Sequence, residues 1–405
     1  MPLTLTLADA VLKDDYQGPV RKQINDKTKT LAQFEKNTED FVGRQAILPC
    51  HMTRNTGVGA RLEGETMPAA GNQGTTKQII NNHYQYGRIR LTKQTITRMQ
   101  SNRGAFIQAV KLEMKGLVAD CVRDLSRQSW GTSDGKIATC GVTAASNTVV
   151  LATTTPEQIL VNLAEGIRVD IGTVANPQLR AANRLITAVD FTNKTVTVDG
   201  AAITTAGTDF VFRQGAGGSG ASQREVTGIQ TMISDTGALF NIDPAVFFQW
   251  ASIVEGNGGT TRPLSENLVE KASHRAQNRS GADISLLVAE DGVYRAAANL
   301  LQAQKRQVNQ LDLKGGHKGL DFSNGDNTMA LMRDRDCPPN KIYGIAVSEM
   351  VEFVDEDWQW EDADGPVLQR SPDSTHSFEG VYYKFHEIAT VRRNAHFRID
   401  DVESA

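Results

Sequence analysis

The feature that most constrains this chain is one uninterrupted helical period. Over residues 101–129, Phe106, Val110, Met114, Leu117, Cys121 and Leu125 recur at spacings of three and four, which lays an apolar stripe along one face of an α-helix. At about 1.5 Å per residue such a helix extends roughly 44 Å, well beyond an average globular helix. Trp130-Gly131 then supplies a glycine stop. A helix this long is a spine, and the rest of the chain must attach to it.

What precedes the spine has too few apolar side chains for a core of its own. From 14 to 39 the composition is charged and polar, with Val20, Ile24, Leu31 and Phe34 widely spaced and Phe41 just beyond. This predicts an arm that lies on another surface. Residues 57–77 hold five glycines, and 79–97 turn β-branched with a local alternation at Arg88-Ile89-Arg90-Leu91, which predicts an extended two-stranded loop. A glycine-tipped hairpin is marginal by itself and needs a surface to rest on.

After the spine the period changes to short β runs such as Thr148-Val149-Val150-Leu151 and Thr195-Val196-Thr197-Val198, with Asn193-Lys194 and Asp199-Gly200 as turn signals. A separate β unit is expected over 134–222, closed by the linker-like run from Gly215 to Gly220. Asp243-Pro244 then reads as an N-cap and first helical position, Ser265 as the cap of a helix to Arg279, 284–289 as a buried strand and 291–304 as a helix. Strands are expected at 342–347, 350–353, 380–385 and 387–393. The fold class is α+β.

Composition narrows function. A chain of 405 residues with net charge −4 and no basic block is poorly suited to gripping phosphates tightly. Cys50, Cys121, Cys140 and Cys337 form no CxxC pair, so a reducing compartment is expected. The first residues lack a basic n-region and no segment reaches the roughly 18 apolar residues of a membrane span, so a soluble, intracellular protein is expected.

Gly215, Gly217 and Gly220 fit GxGxxG after a strand, with Asp235 further on, but 221–226 before Gly228 is too short for the crossover helix a dinucleotide fold requires. The acidic run 355–365 could hold calcium but lacks the EF-hand pattern, and reads as a solvated or subunit-facing loop with exposed Trp358 and Trp360. The seven histidines show no zinc spacing; His376, His386 and His396 fall ten apart without a completing ligand. No GxSxG or GxxxxGK[ST] motif is present. No catalytic residue, cofactor or metal is assigned, and the chain is not read as an enzyme.

The order of polar arm, glycine-tipped hairpin, spine helix, β insertion, α/β segment and returning strands resembles the tailed-bacteriophage major capsid proteins of the HK97 fold. The resemblance rests on 106–117 of the spine, on 225–233 (Glu-Val-Thr-Gly-Ile-Gln-Thr-Met-Ile), and on 334–344 leading into a strand. The runs at 163–171, 185–190 and 208–215 look like the additional β-barrel domain that some members carry.

The resemblance implies an N-terminal arm (1–56), an extended E-loop (57–97), a peripheral domain with the spine (98–133), the inserted domain (134–222), a mainly axial domain (223–345) and strands returning to the sheet (346–405). It further implies self-assembly as hexamers and pentamers into an icosahedral head around double-stranded DNA, without sequence-specific binding and without a membrane. The virion is the expected location, with assembly in the host bacterial cytoplasm. Scaffolding protein or a delta-type segment, portal and decoration proteins are the expected partners. Arg61, Glu63, Glu65, Lys77, Arg88, Arg90, Trp358 and Trp360 are the candidate inter-subunit contacts, Lys77 being the loop lysine of a covalent crosslink in some such shells. Another virion or tail component, or a nucleotide-binding α/β enzyme at Gly215–Gly220, are the rival readings.

Overall fold

The computed structural model describes residues 29–41, 43–93, 103–218, 223–303, 310–312, 318–323, 327–362, 367–371 and 376–405. Val20, Ile24 and the first 28 residues of the expected arm lie outside them, as do Gly220 and 94–97.

The first strands are β1 (Glu35–Asn37), β2 (Gln45–Thr53), β3 (Gly74–Asn81) and β4 (His83–Thr92), followed by the spine α1 (Arg103–Ser129). Next come β5 (Lys136–Thr139), β6 (Thr143–Ser146), β7 (Thr148–Val150), the short α2 (Glu157–Leu160), β8 (Arg168–Gly172), β9 (Ala181–Asp190), β10 (Thr195–Val198), β11 (Ile203–Thr205) and β12 (Phe210–Arg213). The third stretch holds α3 (Ile229–Met232), β13 (Ile253–Glu255), α4 (Glu266–Ser280), β14 (Leu286–Ala289), α5 (Asp291–Ala303), β15 (Gln310–Asp312), β16 (Lys318–Ser323), β17 (Thr328–Arg333) and β18 (Ile342–Ile345). The last strands are β19 (Met350–Trp360), β20 (Gln369–Arg370), β21 (Ser377–Thr390) and β22 (Phe397–Ile399).

One five-stranded sheet runs β1-β19-β21-β20 with β4 on the other side of β21. The spine lies against it: Val110, Met114, Val118, Val122 and Leu125 are all at or below 2% exposed and share a core with Ile89, Tyr382 and Ile388. Close contact with β4 depends on Gly87, where a Cβ would stand 2.6 Å from Cys121 Sγ and 3.1 Å from Leu117. Any side chain there would push the helix off the sheet.

A seven-stranded mixed sheet, β13-β22-β18-β14-β17-β16-β15, carries the second core. Val269, Ala272 and Ala276 of α4 and Val293 and Ala297 of α5 pack on its Leu287, Leu331, Ile342 and Phe397. Ser265 caps α4, its Oγ accepting from Leu268 N at 3.3 Å, and Gly281 ends it with φ +70°. The helix expected from Asp243-Pro244 does not form. Val246 N and Phe247 N both donate to Asp243 O, closing one turn, and a 3-10 turn at Phe248–Trp250 follows in which Trp250 is buried.

Strands β5 to β12 make a six-stranded sheet and a two-stranded one whose core cluster, from Ile137 to Val211, contains no other described residue from elsewhere in the chain. Entry to and exit from this unit meet in space: a Cβ on Gly228 would lie 2.0 Å from Gly131 O. Arg127 clamps the crossing, reaching Glu225 Oε2 at 3.2 Å and Asp124 Oδ1 at 3.1 Å, all three groups at the end of the spine. Gly215 and Gly217 belong to the turn after β12, their carbonyls accepting from Arg224.

The two large sheets are joined by His396. Ala346 N donates to its Nδ1 at 3.2 Å, so Nε2 carries the proton and donates to Thr390 Oγ1 at 2.8 Å. Burial alone depresses this imidazole from an ordinary 6.5 to about 3. Between those values the unfolded chain takes up a proton that the folded one refuses, so this contribution is present above about pH 6.5 and is lost as pH falls towards 3. The urea midpoint is therefore expected to drop from about pH 7 to about pH 5, and His396→Gln is expected to flatten that slope while lowering stability at neutral pH. An unchanged slope in the variant would assign the acid sensitivity elsewhere.

Candidate assembly surface

Strands β2 and β3 form an antiparallel hairpin in register from Gln45↔Asn81 to Thr53↔Gly74. Its rising strand begins at Gln45, inside the span expected for the arm, and β4, expected in the hairpin, is instead a strand of the five-stranded sheet. Pro49 hides β2 from a sequence reading, because proline argues against a strand. It is tolerated because β2 has a partner on one side only among the described residues.

The root of the hairpin is fixed. Ala46 and Ile80, both 0% exposed, pack with Phe353 and Ala389. Gln78, also fully buried, donates from Nε2 to Thr390 O at 2.6 Å, and Ile79 N donates to Phe240 O at 3.0 Å.

The far end has no such support. Residues 54–73 contain no strand, and Val58, Leu62 and Met67 are 85%, 76% and 85% exposed. The tip is shaped by its own bonds: Arg61 Nε donates to Thr66 O at 3.0 Å and Leu62 N to Glu65 Oε2 at 3.0 Å. Gly71 packs so tightly that a Cβ would come 2.8 Å from Thr56 N. Glu63 is exposed, as is Lys77 opposite Pro49. Arg61, Glu63 and Glu65 thus share one projecting tip, with Lys77 on the stem.

Arg88 and Arg90 lie elsewhere, on the solvent face of β4, and converge on one carboxylate. Arg88 Nη2 is 2.7 Å and Arg90 Nε 3.4 Å from Glu379 Oε1, which also accepts from Ser371 Oγ at 2.6 Å. The Ser371 bond and the two arginines hold that carboxyl below its usual range. On the same face Tyr84 and Tyr86, 50% and 63% exposed, meet Phe385 edge-on at 4.9 and 5.9 Å.

Trp358 and Trp360 correct the sequence reading. They are 7% and 9% exposed, not displayed in a loop, because the acidic run through Trp360 is the outer half of β19. Their spacing of two puts both on the inner face, where Trp358 stacks on Tyr382 at 4.9 Å and Trp360 tilts against it at 5.0 Å. Asp355 and Gln359 point the other way and are exposed.

Sequence reasoning missed a buried ion cluster beneath the arm. Lys384, 1% exposed at its side chain, reaches Glu352 Oε1 at 2.6 Å and Asp357 Oδ1 at 3.3 Å. His386 donates from Nδ1 to Glu352 at 2.9 Å, and Lys36 of β1 covers Asp357 at 3.0 Å. Burial pushes the Glu352 carboxyl up, but the Lys384 charge and the His386 bond outweigh it, and the group stays well below its usual range. Asp357 opposes the same burial with Lys384 and Lys36 and settles at about 2. Lys36 so pins β1, which pairs in parallel with β19. No local pattern reports this cluster, since Lys36 is more than three hundred residues from its partners.

Burial raises all four thiols, Cys121 and Cys140 to about 12, so none is a thiolate near neutrality. Among the described residues no group of three or more His, Cys, Asp and Glu is arranged for a metal, and no helix is long and apolar enough to cross a membrane.

The fold is shared with a solved structure. The cyanophage A-1(L) capsid asymmetric unit aligns with a TM-score of 0.57 at 10% identity, covering 93% of this chain and 93% of that one. Structures of Mycobacterium phage Bobi (TM-score 0.45, 8% identity, 94% and 91% covered) and of the Myoviridae phage XM1 capsid (0.43, 7%, 92% and 90%) align more loosely and add no weight. No protein-family model and no curated protein matches the sequence. The chain therefore shares the fold of the cyanophage A-1(L) capsid structure, a mixed α/β fold made mostly of strands.

The hairpin root gives a direct test. Gln78→Ala leaves Thr390 O without its buried donor and is expected to destabilise the chain by about 1–3 kcal/mol in urea denaturation. Thr75→Ala, on the exposed side of the same strand, should fall within about 0.5 kcal/mol of the parent. Equal effects would mean that the Gln78 bond does not anchor the hairpin.

Proposed function

We propose that this chain is the major shell subunit of a tailed bacteriophage, assembling as hexamers and pentamers into an icosahedral head around double-stranded DNA. The observation that carries the reading is the end-to-end likeness to the cyanophage A-1(L) capsid, 93% of each chain at a TM-score of 0.57. The hairpin supports it physically. A stem anchored by Gln78 and Ile80 carries a tip whose Val58, Leu62 and Met67 are largely exposed among the described residues, and a projecting apolar tip is stable only if association buries it.

In this reading Arg61, Glu63 and Glu65 at the tip, with Lys77 on the stem, meet a neighbouring subunit, and their mixed charge sets register more than affinity. Arg88 and Arg90, held by Glu379, display a shaped basic face to the same lattice. Trp358 and Trp360 take no part, being spent on the core. The extended loop is the hairpin 45–81, and the unit over 134–222 is an added domain rooted where Gly131 meets Gly228. The net charge of −4 suits a container that holds DNA without reading it. Scaffold, portal and decoration proteins are the partners such a shell requires, assembly belongs in the bacterial cytoplasm, and the virion is the final location.

Deleting 57–71 is expected to leave the unfolding free energy of the subunit, from urea denaturation, within about 0.5 kcal/mol of the parent, because the tip contributes almost nothing to intrachain burial. The same deletion is expected to abolish closed shells in electron micrographs of the expressed protein, with or without a scaffold. Tubes or rings from the intact chain would favour a tail component, and shells from the deleted chain would remove the hairpin from assembly.

A further inference from the structure

The foot of the hairpin and the segment returning from the inserted unit are joined by one buried carboxylate. Glu387 of β21 is 1% exposed, and its Oε1 accepts from Thr227 N at 2.7 Å and from Ile388 N at 2.8 Å. Thr227 stands one residue before Gly228, which meets Gly131 where the inserted unit is rooted. Val226 and Ile229 on either side are 0% exposed in the core shared with the spine. Oε1 is thus spent on the backbone of the return segment, and Oε2 is left for another partner.

That partner is His83, the first residue of β4 and two beyond the end of β3. Its Nδ1 forms an ion pair with Glu387 Oε2, the two side chains being 17% and 1% exposed. Neither atom has any other partner among the described residues. Burial disfavours the charged imidazole, but the Glu387 charge, the bond to it and the Asn81 carbonyl outweigh burial, and the ring keeps its proton above the ordinary 6.5. The other ionisable groups nearby do not compete. His386, paired across from His83 on β21, is held neutral by burial and by the Lys384 charge, and Asp355 of β19 accepts from Asn82 Nδ2 at 2.8 Å.

We propose that His83 is a proton-controlled fastening, which through Glu387 holds the foot of the hairpin and the return segment 225–228 as one body while the imidazole is charged, and releases them from each other when the proton leaves. Loss of the proton removes the only counter-charge from a carboxylate sealed away from water. The site then relaxes by admitting water, which competes for Oε1 with the Thr227 N–H. Because the folded value lies above 6.5, the fastening is complete below that pH and is lost as pH rises through the folded value. His396 acts at the acid end, so the two effects are separated in pH. The fastening belongs to the single chain and does not rest on the shell reading.

Amide exchange of the purified, unassembled chain tests it, compared as protection factors so that the intrinsic pH dependence of exchange drops out. Between pH 6.5 and about pH 9, protection at 226–228 is expected to fall roughly tenfold while α1 keeps its own. In His83→Gln the same amides are expected to show one low protection at both pH values. Protection at 226–228 that does not change with pH in the parent, or that changes equally in the variant, would overturn the proposal. Should the variant fail to fold, seen as lost protection in α1, deuterium uptake at the His83 ring C2 position of the parent, read by peptide mass mapping across pH, decides instead. Its midpoint is expected above 6.5 and coincident with the loss of protection at 226–228. A midpoint at or below 6.5, or one that does not coincide, would equally overturn it.

Discussion

The contact between the spine and the five-stranded sheet is the constraint on which the other parts of this chain depend. A helix of 27 residues has one apolar face to bury, and here it buries it against strands contributed by both the early and the late thirds of the sequence. Gly87 sets the separation, and Ile89, Tyr382 and Ile388 fill it. Once that contact exists, the hairpin has a base, the arm strand β1 has an edge to join, and the inserted unit has a rigid post from which to hang. Full burial of five large side chains at roughly 1.5–3 kcal/mol each outweighs any single polar pair in the molecule.

The ion cluster under β1 works differently. Lys384, Glu352 and His386 are all but sealed from water, and burying charges brings little net stability even when they are well paired. Breaking the set would be costly, though, because a lone buried charge has nowhere to go. The cluster therefore acts as a condition on geometry: β1 is accepted in the one register that sets Lys36 over Asp357. A short strand of three residues gains from this a specificity that its few backbone bonds could not give.

Local signals in the sequence are legible where the physics is local. The stripe from Val110 to Leu125 marked the spine, Ser265 marked the start of α4 through its hydroxyl, and the alternation at Arg88-Ile89-Arg90-Leu91 marked a strand. What stayed hidden was long-range pairing. β2 is obscured by Pro49, which is tolerable because the strand has a neighbour on one side only among the described residues. The acidic neighbours of Trp358 and Trp360 suggest exposure, although a spacing of two places both on a common face of a strand. The convergence of Lys36 on Asp357, or of Gln78 on Thr390, depends on backbone placement across the whole chain and leaves no trace in any window of residues.

The meeting of Gly131 and Gly228 bears on how such a chain can change over generations. Whatever stands between those two residues enters and leaves through one point, so its length and content leave the separation of the flanking elements untouched. The end of the spine and the start of α3 hold the same positions whether the intervening stretch is a short turn or a complete β unit with its own core. The root is thus a socket: variation in bulk or surface can accumulate there while the geometry of the flanking elements is inherited unaltered.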